Sequence, residues 1–75
     1  MTFQEWLDDY WANRSVYERL GQAFCNDFIE KSWPDLYYEN TVSVAMTEIE
    51  GWLRAHHYDA YHGGKLPSRR NNANV

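Results

Sequence analysis

Apolar side chains return at helical intervals through most of this chain, and that period limits its fold more than any other feature. Phe3, Trp6, Leu7, Tyr10 and Trp11 fall at i, i+3, i+4, i+7 and i+8, one stripe on a helix, with Gln4, Asp8, Asp9 and Asn13 off it. Val16, Leu20, Ala23, Phe24 and Phe28 form a second stripe, with Cys25 and Ile29 beside it. Val42, Ala45, Met46, Ile49, Leu53 and His56 form a third, with Trp52 on its flank. Strand signals such as Asn-Gly hairpins are missing. The pattern predicts an all-α fold, a small bundle of three main helices over about residues 3–13, 16–32 and 42–59.

Local signals set the expected ends. Thr2 with Glu5, and Ser15 with Glu18, have the spacing of a capping box, in which two side chains satisfy orphan backbone donors at a helix start. Pro34 disfavours helix at Trp33, so the second helix should stop near Ser32. Pro34 and Asp35 suit a first turn, and the residues after them read as a short helical turn or a tight loop. Asn40, Thr41 and Ser43 all offer capping oxygens to the third helix, and Glu50 and Arg54 make a favourable i, i+4 pair on its outer face. Gly63, Gly64 and Pro67 stop any helix. The small, polar, basic residues there predict a single helical domain over 1–62 and a flexible basic tail over 63–75.

A chain of 75 residues holds one core and buries only ~60% of the surface its unfolded form exposes. Its single cysteine excludes an internal disulfide, and no Cys/His set has zinc-finger spacing. Stability must then come from packing, to which a 17% aromatic content with four Trp and six Tyr is suited. Gly21 interrupts the second helix at a cost near ~1 kcal/mol relative to alanine. No second glycine or proline accompanies it, so close passage of another helix accounts for it better than a hinge. The lone thiol fits a reducing compartment. The N-terminal residues lack the basic and apolar regions of a signal peptide. No apolar run approaches the ~20 residues of a membrane span. A cytoplasmic protein is the expectation.

Catalytic and metal chemistry find little support. His56, His57, His62 and Asp59 are all metal-ligand types, but adjacent helical residues point about 100° apart and do not share a ligand easily. Histidines near a helix C-terminus also complement its negative dipole end. Cys25 lies beside an apolar stripe and reads as a small buried hydrophobe, not a nucleophile. Asp8 and Asp9, or Glu48 and Glu50, read as solvated faces. No phosphate loop or Ser/His/Asp pattern is present. The expectation is a non-enzymatic protein with no catalytic residues, no metal and no cofactor.

The surface is more informative. All eleven acids lie in residues 1–63, with only Arg14, Arg19, Lys31 and Arg54 as permanent bases, a balance of −7. Such a body repels a phosphate backbone and suits a basic protein surface. Two aromatic clusters exceed what a small core can hide, and such residues are frequent at binding hot spots. Trp33, Tyr37 and Tyr38 are edged by Asp35 and Glu39; Tyr58 and Tyr61 are edged by Asp59. They make the candidate protein-binding residues. Arg19, Gln22 and Asn26 form a polar strip on helix two, able to hydrogen-bond the Pro34–Tyr38 segment or a partner. Lys65, Arg69 and Arg70 of the tail support an alternative reading, a small nucleic-acid-binding regulator.

Arg19, Gly21, Gln22 and Asn26, an R-x-GQ-x-x-x-N core, are followed by Pro34, Asp35 and Leu36. Over roughly residues 14–53 this arrangement resembles small uncharacterised proteins of tailed phages and prophages. The resemblance implies a bacterial host cytoplasm and an accessory gene of a mobile element. In that context a host-directed inhibitor or adaptor is expected, binding a host or phage protein such as a nucleic-acid-processing or defence complex. A phage structural or assembly component, with self-association, is a further alternative.

Overall fold

The computed structural model describes residues 1–13 and 18–69. Among them the chain forms five helices: α1 (Phe3–Asn13), α2 (Leu20–Phe28), α3 (Pro34–Tyr37), α4 (Val42–His56) and α5 (Tyr58–Tyr61). The all-α reading holds. The first helix begins as its capping box dictates: the Thr2 N–H donates to Glu5 Oε1 at 2.8 Å and the Glu5 N–H to Thr2 Oγ1 at 3.1 Å. Ser15 and Val16, the expected start of the second helix, lie outside the described residues. At the head of α2 the Gln22 side-chain oxygen accepts from the Arg19 N–H at 3.3 Å.

Three helix ends differ from the sequence expectation. Helix α2 starts at Leu20, not 16, since Glu18 is not helical and Arg19 is extended (φ −74°, ψ 156°). Helix α2 stops at Phe28, not near Ser32, because Ile29 turns extended (φ −99°, ψ 119°) while its N–H still bonds the Cys25 carbonyl. That turn places the Ile29 side chain in the core and lets the chain double back. Trp33 is held out of helical geometry ahead of Pro34, which opens α3 as its first residue. The third predicted helix breaks at His57 (φ −142°, ψ 64°), which ends α4 and starts α5. The break lets Ala60 turn inward to 3% exposure. Thr41 precedes α4 without a side-chain cap, and its N–H donates to Glu39.

Phe24 is the hub of the interior. Its ring meets Phe3, Trp6, Phe28 and Trp52 at centroid distances of 6.1, 5.4, 4.9 and 5.6 Å. Leu36, Ile49 and Leu53 close the core around it with no exposed surface. Helix α2 lies close to α3 and α4 along the backbone, whereas α1 is joined to α2 through aromatic rings. Large side chains at a contact hold helix axes apart. Among the described stripe residues, Trp11, Val42 and His56 end up exposed. Trp11 and Val42 both line a notch between the end of α1 and the start of α4.

Gly21 is a packing residue, and the helix that passes close to it is α3. A side chain there would fall on the Leu36 carbonyl oxygen, with Leu36 Cδ1 at 2.9 Å. The contact is what seats α3 on α2.

The chain after α5 departs from the flexible-tail expectation through Arg69. A Schellman motif closes α5: the Gly64 N–H donates to the Asp59 carbonyl at 2.7 Å, the Gly63 N–H to Ala60, and Gly63 takes φ +93°. The chain then returns to the N-terminus. Lys65 bridges Thr2, the Leu66 N–H donates to the Met1 carbonyl at 2.8 Å, and Leu66 is buried. One apolar side chain with a berth in the core is what orders these residues. Arg70 and the residues after it lie outside the described part.

Candidate protein-binding surface

The polar strip on α2 builds the site by bracing α3. Arg19 Nε donates to the Tyr37 carbonyl at 3.0 Å, and Gln22 Nε2 donates to Tyr37 Oη at 3.3 Å. The Arg19 guanidinium also lies 5.7 Å from the Tyr37 ring centre and 5.5 Å from that of Tyr38. The two rings meet edge to face at 4.9 Å. A helix of four residues has little stability alone, so these contacts and the Leu36–Gly21 seat hold it in place.

Bracing fixes what α3 presents. Tyr38 is 68% exposed, the most open of the described large hydrophobic side chains. Tyr37 and Trp33 are half-buried against the core, and Asp35 is exposed. A hollow of about 460 Å³ opens beside them, lined by Asn26 and Cys25 from α2, Ile29, Lys31, and the rings of Trp33, Tyr37 and Tyr38. Asn26, the third member of the strip, therefore faces this hollow, and Cys25 contributes a buried thiol to its wall.

Carboxylates gather at the same end. Burial pushes the Glu48 carboxyl above its usual range, and the charges of Glu39 and Asp35 push it further. Glu39 and Asp35 were legible as acids beside the tyrosines. Glu48 was not, because only the fold brings α4 alongside α3.

The second aromatic cluster lies elsewhere. Helix α3 leads into the start of α4 and α5 follows its end, so the 15 residues of α4 separate the clusters by about 20 Å. There Tyr58 is 62% and Tyr61 37% exposed. His62 lies against both rings, at 4.2 and 5.0 Å, and Arg54 lies over Tyr61 at 5.5 Å, turned toward α5 and not toward Glu50. Asp59 is exposed, and its carbonyl is taken by the Schellman bond. His56 and His57 pack on Trp52 at 5.7 and 4.7 Å. Among the described residues no group of three or more His, Cys, Asp and Glu side chains could hold a metal ion.

Of the described basic residues of the proposed tail, Arg69 faces carboxylates of the molecule itself, while the Lys65 side chain is exposed. Lys65 pairs with Thr2 through the backbone, and Arg69 contacts Asp9 and Asp27, each at 3.7 Å. No helix among the described residues is long and apolar enough to cross a membrane. No protein-family model, curated protein or solved structure matches the chain.

Proposed function

We propose that this protein acts by binding another protein, through the face formed by α3 and the hollow beside it, and not by catalysis. Tyr38 carries the reading: a large aromatic side chain held open on a braced element, beside Asp35, Glu39 and Glu48. An apolar side chain of the partner enters the hollow, and basic groups of the partner face the carboxylates. With the phage resemblance, the reading becomes a host-directed inhibitor or adaptor working in a bacterial cytoplasm.

Immobilised full-length protein is expected to retain a defined protein from a bacterial lysate. Tyr38→Ala should lose that protein, and retention should fall as ionic strength rises. Retention unchanged by Tyr38→Ala and indifferent to salt would overturn the reading. Recovery of nucleic acid in place of protein would favour the regulator, and a defined oligomer in sedimentation would favour an assembly component.

A further inference from the structure

The hollow beside α3 has a chemistry that narrows what can enter it. Three flat rings line it, those of Trp33, Tyr37 and Tyr38, and Pro34 and Ile29 add apolar surface. Polar groups sit among the rings. Asn26 brings a side-chain amide to the wall. Tyr37 Oη already accepts from Gln22 Nε2 at 3.3 Å, so its own hydroxyl proton is left to donate elsewhere. Acids stand at the rim: Glu30 lines the hollow, Asp35 is exposed beside Pro34, and Glu39 follows Tyr38. Lys31 is the one base among the described lining residues.

We propose that the occupant of this hollow is a short proline-rich segment of the partner with a flanking arginine, bound as a polyproline II helix. The proposal rests on the α3 face being the binding face, and it names the chemistry of the ligand. Polyproline II segments dock in grooves walled by aromatic rings, which Trp33, Tyr37 and Tyr38 supply. Their backbone has no internal hydrogen bonds, so its carbonyls are open to a donor such as the Tyr37 hydroxyl. Other modes fit less well. A partner strand needs an open sheet edge, and among the described residues the only strand-like pairing is the isolated bridge of Thr2 with Lys65. A segment that folds only on binding loses entropy that a face built on a four-residue helix repays poorly. A polyproline segment is ordered beforehand. The carboxylates of Glu30, Asp35 and Glu39 then face the arginine.

The test titrates the isotope-labelled full chain with short synthetic peptides, following the Trp33 indole N–H and the Asn26 side-chain amide. The first peptide is polyproline with a single arginine, made with the arginine at either end. The second carries glutamate in place of that arginine, and the third is an alanine-rich helix former with the same arginine. One arginine–polyproline peptide should shift both resonances to saturation and bind about threefold or more tightly than its glutamate counterpart at low salt. Tyr38→Ala, at a position the core does not use, should weaken that binding about tenfold or more. Tyr37→Phe, which keeps the ring and removes the donor, should weaken it about three- to tenfold. Resonances that do not move, equal binding of the alanine-rich or glutamate peptide, or full affinity in both tyrosine variants would overturn the proposal. Absence of peptide binding with Tyr38-dependent capture of a lysate protein intact rejects the proline-rich ligand alone; loss of both rejects the α3 face as well.

Discussion

Two helical glycines, Gly21 in the first turn of α2 and Gly51 inside α4, make opposite demands on their side-chain space. At Gly21 an added methyl group meets the Leu36 backbone, which cannot swing aside as a side chain tip can. Gly21→Ala should therefore lower stability by about 1–3 kcal/mol in urea unfolding, despite alanine's better helix propensity. At Gly51, in the middle of α4, a methyl group meets nothing within 4 Å. Gly51→Ala should raise stability by about 0.5–1 kcal/mol. Glu48 provides a titration at the same scale. Its folded carboxyl binds a proton more readily than the unfolded one, so stability falls as pH rises from the ordinary carboxylate range through the raised value. Glu48→Gln should be more stable than the unmodified chain at neutral pH, with the difference vanishing in acid. Glu5 runs the other way. The Thr2 backbone bond lowers its pKa, so its contribution is present at neutral pH and is lost as pH falls through that lowered value.

Elements were legible where the sequence repeats a local rule and obscure where a distant contact decides. Helix α1 could be read to the residue because its cap and its stripe are both local. The reason for Gly21 was legible too, but its neighbour was not: Leu36 arrives only after the chain doubles back through Ile29. The strip of Arg19 and Gln22 pointed at the Pro34–Tyr38 segment, and those bonds are present. The arm after α5 was hidden because Leu66 is a lone apolar residue among small polar ones and has no period to betray it. Its burial makes it testable. Leu66→Ala should cost about 2 kcal/mol, near the lower end for core leucines, as its place at the rim suggests. A thermal melt by circular dichroism would register this as a fall of about 8–16 °C for a domain of this size.

At the scale of the whole molecule the interior depends heavily on one ring. Phe24 has no exposed surface and touches aromatic residues of α1, α2 and α4. Phe→Ala changes at such sites cost about 3–5 kcal/mol, comparable with the whole stability of a small domain. Phe24→Ala should leave much of the population unfolded at room temperature, seen as collapse of amide dispersion in a proton–nitrogen spectrum. The meeting of Thr2 with Lys65, and of Met1 with Leu66, has a consequence for synthesis. A ribosome adds about 5–20 residues per second, so this closure waits until residue 66 has left the exit tunnel, whereas the rings that join α1 to α2 need nothing beyond Phe28 and can meet seconds earlier.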